Sequence, residues 1–225
     1  MLETVFQAAA DEDILNLALT HPSYTKEKDQ NSLENYERLE FLGDSVLKLY
    51  ISKILYNSFP DATEGDLSKI RSILVSDNIL AQIAFNIGLN KLIKLGPAEE
   101  KQGGRKRESN LACALEAVFG AYFLSNQSSA VENFLQKYLV PYIDDISDHF
   151  EKYNAKDCLQ QYTQSVDKSL PVYMTLSTQG PAHKPIFEIA VQWQGKVIAT
   201  AQGKTKKEAQ QNCAYEACKK LGIIS

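Results

Sequence analysis

The stretch Glu37-Arg38-Leu39-Glu40-Phe41-Leu42-Gly43-Asp44-Ser45-Val46-Leu47 decides the reading of the first two-thirds of the chain. Leu39, Leu42, Val46 and Leu49 recur at helical spacing and predict an inward apolar stripe. Glu37, Glu40 and Asp44 fall at i, i+3 and i+7, so their carboxylates stack on another face of the same helix. Stacked like charges repel by roughly 0.2–0.5 kcal/mol per pair. A glycine inside a helix, here Gly43, costs about 1 kcal/mol against alanine. Both costs ask for compensation. A divalent cation would offset the repulsion, and close approach of a second helix would explain the glycine. At this level of argument a solvated acidic face with an incidental glycine stands beside that reading.

Helical periodicity extends outward from this stretch. Ile14, Leu15, Ala18 and Leu19 precede the break His21-Pro22, and the run Leu39 to Leu55 ends at Phe59-Pro60. Further runs cover Leu67 to Ile87, Asn110 to Leu124 and Val131 to Ile146, with Gly88, Gly96-Pro97 and Gly103-Gly104 as breakers. The pattern changes after Tyr153. A helical segment, Asp157 to Val166, is followed by strand-like alternation at Val172, Met174 and Leu176, then at Phe187, Ile189, Val191 and Trp193. Gln194-Gly195 stands where a tight turn belongs, and Val197, Ala199 and Ala201 resume the alternation. Helical period returns from Thr205, with Ala209, Cys213, Ala217 and Leu221 on one face. The order is helix, three strands, helix. The polar segment Asp144 to Lys156 is the expected linker between two domains, 1–150 and 155–225.

Composition fits this division. With 44% hydrophobic and 23% charged residues among 225, the chain has the make-up of a folded protein, not a disordered one. No apolar run approaches the ~18 residues of a membrane span, and no basic n-region precedes an apolar stretch at the N-terminus. Four scattered cysteines, Cys113, Cys158, Cys213 and Cys218, form no C-x-x-C pair, which argues against a disulfide framework and structural zinc. A reducing cytoplasm is the expected setting. The net charge of −4 is unevenly spread: residues 155–225 hold 9 Lys against 5 Asp+Glu, net +4, which leaves −8 for residues 1–154. Lys204, Lys206 and Lys207 cluster at the start of the last helix, where cations oppose the macrodipole. A bound phosphate would meet both the lysines and the free backbone N–H groups.

The acidic stretch closely resembles the signature of ribonuclease III, E-R-L-E-F-L-G-D-[AS]-V-L. Other segments carry the same resemblance. Leu19-Thr20-His21-Pro22-Ser23-Tyr24 is similar to L-T-H-x-S-Y, and Asn35 precedes the signature as in the family. Glu64-Gly65-Asp66-Leu67-Ser68 is similar to E-G-x-L-[ST], with Arg71 following. Leu95-Gly96, Glu99 and Gly103-Gly104-Arg105 resemble the family's L-G-x-G-E…G-G-R loop, with Ala98 in place of a glycine. Near the C-terminus, Gly180-Pro181-Ala182-His183…Phe187 and Gly203-Lys204-Thr205-Lys206-Lys207-Glu208-Ala209 resemble the loop and last helix start of a double-stranded-RNA-binding domain, with Gln210 in place of a further basic residue. The resemblance implies an all-α nuclease domain with the ribonuclease III endonuclease fold, then a small α+β (αβββα) double-stranded-RNA-binding domain.

It further implies a metal-dependent endoribonuclease that cuts duplex RNA to 5′-phosphate and 3′-hydroxyl ends with short 3′ overhangs, in processing of rRNA and other transcripts. Glu40, Asp44 and Glu116 would bind Mg²⁺, with Mn²⁺ as a substitute, and carry catalysis. Glu37 and Glu64 would be supporting acids, and Phe41 would pack across a homodimer interface. Gln160, Gln161 and Gln164 would face one minor groove and His183 the next, with Lys204, Lys206 and Lys207 on phosphates. Neither a membrane nor a nucleotide cofactor is expected.

One position departs from the family. Its second acidic helix reads L-A-D-x-x-E-A, whereas this chain has Leu111-Ala112-Cys113-Ala114-Leu115-Glu116-Ala117. Mg²⁺ prefers oxygen ligands and a thiol is a soft donor, so Cys113 should lower Mg²⁺ affinity. Two readings stay open: a working nuclease with altered metal preference, and a catalytically weakened or silent protein that binds duplex RNA.

Overall fold

A computed structural model describes residues 1–27, 33–148, 154–181 and 185–224. The chain divides into two compact units, Met1–Asp145 and Ile146–Ser225.

Unit one is helical: α1 (Leu2–Phe6), α2 (Glu12–Ala18), α3 (Pro22–Glu27), α4 (Glu37–Ser58), α5 (Glu64–Leu74), α6 (Asp77–Asn86), α7 (Pro97–Lys101), α8 (Glu108–Leu124) and α9 (Ser128–Tyr138), with α10 (Pro141–Asp148) running past the division. Short 3-10 turns at Leu89–Lys91 and Gly104–Lys106 join α6 to α7 and α7 to α8. Two expected runs are each split. The run over Leu67–Ile87 breaks between α5 and α6, where Ser76 takes an extended backbone (ψ 148°). The run over Val131–Ile146 breaks before Pro141, which lacks an N–H and opens α10.

Helices α4 and α8 form the centre. Along α4 the buried positions are Leu39, Gly43, Val46, Leu47, Ile51, Ile54 and Leu55. The expected stripe is corrected here: Leu49 is 63% exposed. Leu39 and Val46 mark one border of the buried arc, which widens through Leu47 and Ile51 instead of through Leu42 and Leu49. From Asn110 to Tyr122, every residue of α8 is buried except Cys113 and Glu116. The two helices meet backbone to backbone. A Cβ on Gly43 would lie 1.7 Å from the Glu116 carbonyl oxygen, and one on Gly120 would lie 2.4 Å from that of Leu39. Close approach therefore explains the costly helical glycine. At the far end of α8 an aromatic group closes the core, with Phe6 stacked on Tyr122 at 4.1 Å and on Phe134 at 4.5 Å.

Unit two follows the helix, three strands, helix order: α11 (Ala155–Asp167), β1 (Val172–Gln179), β2 (Ile186–Trp193), β3 (Lys196–Gly203) and α12 (Lys206–Lys220). The sheet is antiparallel in the order β1-β2-β3. Gln194 (φ 51°) and Gly195 (φ 74°) both take the left-handed region, as the mirror-image hairpin turn requires. Ala155 and Leu159 of α11, Ile189 and Val191 of β2, Ala199 of β3, and Ala209, Cys213 and Ala217 of α12 form the core. In β1 the alternating apolar set Val172, Met174 and Leu176 faces outward, and Tyr173 packs against the core instead. A bulge between Thr175 and Ser177 interrupts the register there.

Candidate active site

Three ligand-bearing side chains converge where α4 crosses α8. Glu40 of α4 and Cys113 and Glu116 of α8 each present an oxygen or sulfur atom, all within 4.8 Å of one another. Cys113 and Glu116 are one helical turn apart and therefore share a face, the one side of α8 left open by the core. The contact at Gly43 holds that face against Glu40. Glu37, Glu40, Phe41, Asp44 and Glu116 line a cleft of about 410 Å³ above the crossing.

The cleft carries excess negative charge. Burial pushes the Glu116 carboxyl up to about 8, and the charges of Asp44, Glu40 and Asp77 add to the shift, against a smaller opposing effect of Lys48. Burial also raises the Glu40 carboxyl, opposed by a hydrogen bond donated from the Cys113 thiol. The thiol itself is raised by burial, by that hydrogen bond and by the neighbouring carboxylates. A cation is the group that would relieve all three. Oxygen donors from two rigid helices suit a divalent ion, so the residues present fit one.

The remaining acids are placed differently. Asp44 lines the cleft but stands outside the tight trio, and its carboxylate pairs with Lys48 at 2.7 Å. Glu37 opens α4, accepting at 3.1 Å from the Asn35 amide, while its own N–H donates to Asn35 Oδ1 at 2.9 Å. Glu64 is not among the residues lining the cleft; it opens α5 and accepts from Ser68 Oγ at 2.8 Å. Sequence reasoning missed Asp77. It stands in the first turn of α6, and its charge acts on Glu40, Cys113 and Glu116 together. The signal was an acid directly after the Ser76 break. Phe41 is 79% exposed and belongs to no core.

The other motifs of unit one fix the start of α8. Asn110, buried, donates to Glu99 Oε1 at 2.8 Å and to the Gly104 carbonyl at 3.1 Å. Arg107 also pairs with Glu99. The Gly96 N–H donates to Ser23 Oγ at 2.9 Å, and Ser23 Oγ in turn lies 2.7 Å from His21 Nδ1. A side chain at Gly96 or Gly104 would strike Ser23 or Glu99. The His21 and Glu99 segments are thus a polar clamp on the helix that carries Cys113 and Glu116.

In unit two, Gln160, Gln161 and Gln164 are exposed on α11, and Lys204, Lys206 and Lys207 are exposed where α12 begins. Thr205 caps α12 by accepting from the Glu208 N–H at 3.1 Å, and Glu208 reaches back to the Lys204 N–H at 2.8 Å. This capping box anchors the lysine segment. His183 lies outside the described residues.

Comparison with known proteins agrees with this arrangement. Residues 11–143 match the family model described as Ribonuclease-III-like, and residues 155–221 match the double-stranded RNA binding motif. Ribonuclease 3 of Syntrophomonas wolfei is 41% identical over 204 residues, covering 91% of this chain and 86% of that protein. Ribonuclease 3 of Bacillus licheniformis is 41% identical over 212 residues, covering 94% and 84%. The nuclease domain of ribonuclease III from Campylobacter jejuni superposes with a TM-score of 0.56 at 37% identity, covering 61% of this chain and 93% of that one. These likenesses do not favour the reading as a silent binding protein. The chain belongs to the ribonuclease III family, as an endoribonuclease of double-stranded RNA.

Proposed function

We propose that the cleft at the α4–α8 crossing is a divalent-metal centre in which Glu40, Asp44 and Glu116 bind Mg²⁺, with Mn²⁺ as a substitute, and carry phosphodiester hydrolysis. The observation that supports this most is the convergence of Glu40, Cys113 and Glu116 ligand atoms within 4.8 Å. A bound divalent ion supplies an activated water, neutralises phosphate charge and supports the leaving oxygen. The chain's own part is to hold carboxylate oxygens in place before substrate arrives. The glycine contact fixes Glu40 against Glu116, and the Glu99–Asn110 clamp fixes the start of α8. Lys48 holds Asp44 at the cleft until a stronger cation competes for it. Glu37 and Glu64 serve as supporting acids. The products are 5′-phosphate and 3′-hydroxyl ends.

One nuclease domain cuts one strand. Phe41, Leu49 and Tyr56 lie on the outward side of α4 with 79%, 63% and 74% exposure, which supports a homodimer with Phe41 at its interface. Two opposed centres would then leave short 3′ overhangs. The nuclease domain spans 1–150 and the RNA-binding domain 155–225. In the latter, Lys204, Lys206 and Lys207 contact phosphates, while Gln160, Gln161, Gln164 and His183 contact minor grooves. Duplex shape is read in this way with little base specificity, over about 16 base pairs. Processing of rRNA and other transcripts in the cytoplasm is the role that follows. Four scattered cysteines with no C-x-x-C pair suit a reducing compartment.

The test is incubation of the purified protein with a long RNA duplex and Mg²⁺, then Mn²⁺. Overhang-bearing fragments that disappear with Asp44→Ala support the reading. Tight duplex binding without cutting in either metal refutes it.

A further inference from the structure

We infer that Cys113 Sγ is itself a metal ligand and turns the preference of this centre from Mg²⁺ toward thiophilic divalent ions. This rests on the metal-centre reading above and deepens it.

Three observations lead there. First, the sulfur belongs to the cluster: it lies within 4.8 Å of ligand atoms of both Glu40 and Glu116. Second, Cys113 does not behave like the core cysteines of this chain. Cys213 and Cys218 are buried and turn their thiols to backbone carbonyls, at 3.3 Å from Ala199 O and 3.5 Å from Ala155 O. Cys113 instead shares with Glu116 the open face of an otherwise buried stretch of helix, and directs its thiol to a carboxylate. Third, the donors cannot readily rearrange to leave the sulfur out. The Gly43 and Gly120 contacts set the two helices at backbone distance, so Glu40, Cys113 and Glu116 keep their spacing.

Donor chemistry then decides the ion. Mg²⁺ demands near-octahedral oxygen and retains its waters, whereas Co²⁺ and Zn²⁺ accept mixed sulfur and oxygen sets and stand higher in the general affinity order. On binding, the S–H bond breaks, a sulfur–metal bond forms and the proton passes to solvent. The change needs no oxidant or reductant. Cys113 is therefore a specificity-determining residue for the ion, in a position where a carboxylate would favour Mg²⁺.

The probe is Co²⁺ alone, added to the full chain. A sulfur-to-cobalt charge-transfer band in the near ultraviolet is expected, and Cys113→Ser should abolish it while far-ultraviolet dichroism stays the same. Calorimetric titration with Co²⁺ and Mg²⁺ should show the Co²⁺/Mg²⁺ affinity ratio falling in Cys113→Asp. The fall should at least match the roughly 10- to 100-fold changes that even outer ligand-shell substitutions produce. Cobalt bound without that band, or a band that persists in Cys113→Ser, overturns the inference and leaves the metal centre standing. If neither ion binds the parent chain or Cys113→Asp, the metal-centre reading falls together with it.

Discussion

The two units place their proposed functional groups in opposite ways. In the nuclease unit, Glu40, Cys113 and Glu116 are half-buried on two helices pinned together through Gly43 and Gly120, and burial shifts their titration. In the RNA-binding unit, Gln160, Gln161, Gln164, Lys204, Lys206 and Lys207 are exposed to water. The difference follows from the two tasks. Hydrolysis needs charge held in advance at one point with little water around it, and that demands rigid backbone and close packing. Gripping a duplex needs many weak contacts to phosphates, made by hydrated side chains and screened by salt. Substitutions in the first unit should therefore act steeply and cooperatively, and those in the second gradually.

The steepest expected effect is at the centre itself. Glu116→Gln keeps shape but removes a ligand charge, and electrostatic groups of this kind are worth roughly 10²–10³ in rate. Cleavage at saturating Mg²⁺ should drop by about that factor with duplex affinity unchanged. A variant that cuts within a few-fold of the parent would remove Glu116 from the chemistry. Next comes Gly43→Ala. Helix propensity would gain about 1 kcal/mol, but the new Cβ would meet the Glu116 carbonyl at 1.7 Å. Overpacking of this kind costs up to about 3 kcal/mol or more, so net destabilisation of about 2 kcal/mol is expected in urea titration. Gly65→Ala, exposed in the first turn of α5 and with its nearest new neighbour 3.7 Å away, should instead stabilise by up to about 0.5 kcal/mol. Equal effects at the two glycines would mean that the α4–α8 crossing is not tight.

Proton competition gives a third way to sharpen the contrast. The Glu116 carboxyl, ordinarily near 4.5, is held up to about 8 in the folded protein. Between those values the folded chain binds a proton that the unfolded chain has lost. Stability of the metal-free protein therefore falls as pH rises through this window. An ion held by oxygen alone displaces that proton, so its affinity should climb by up to about tenfold per pH unit below 8. An ion that also takes Cys113 Sγ displaces the thiol proton as well and should climb by up to about a hundredfold per unit. Thermal melts with and without metal, at pH 6, 7 and 8, measure both trends. Glu116→Gln should flatten the metal-free one.

Much of this architecture was legible in the order of residues alone. The order of unit two followed from alternation in β2 and from Gln194-Gly195, because side-chain period and turn chemistry are local properties. The pairing of Gly43 with a second helix followed from its cost. Leu49 and the outward face of β1 did not follow: apolar residues at a plausible spacing look the same on either border of a buried arc, and packing alone chooses between them. Asp77 escaped for a related reason. Its place near Glu40 and Glu116 depends on how α6 packs against α8, a contact between residues far apart in sequence. The polar clamp was visible only as separate motifs, since nothing in Leu95-Gly96 or Glu99 announces Asn110 or Ser23 as a partner.

In the second unit the expected changes are smaller. Lys206→Ala with Lys207→Ala should weaken duplex binding and lower the salt slope by about two, one for each phosphate that is no longer neutralised. Lys220→Ala is the control. Its ammonium donates to the Ile198 carbonyl at 3.1 Å, at the opposite end of α12, and its removal should leave the slope alone. If the double variant kept the parent's slope, the start of α12 would not be the phosphate-binding element.

The mildest effect should come from a polar network at the C-terminal end of α11, to which no part in cleavage is assigned. Asp167 Oδ1 accepts from the Ser169 hydroxyl at 2.5 Å, Oδ2 accepts from the Gln194 amide at 2.8 Å, and Oδ1 also accepts from the Ser169 N–H at 3.0 Å and the Trp193 indole at 3.3 Å. These donors hold its carboxyl down to about 2, from an ordinary 3.8. A carboxyl depressed on folding contributes stability above its unfolded value and loses that contribution as pH falls toward the folded one. The network should therefore open between about pH 4 and pH 2. Trp193 is the single tryptophan of the chain, so its fluorescence reports this network directly. Asp167→Asn keeps an acceptor but removes the charge, and should shrink the acid-induced change in that signal without altering cleavage near neutral pH. An acid transition of Trp193 identical in both proteins would show that the strand turn is held by its backbone alone, with the carboxylate incidental to it.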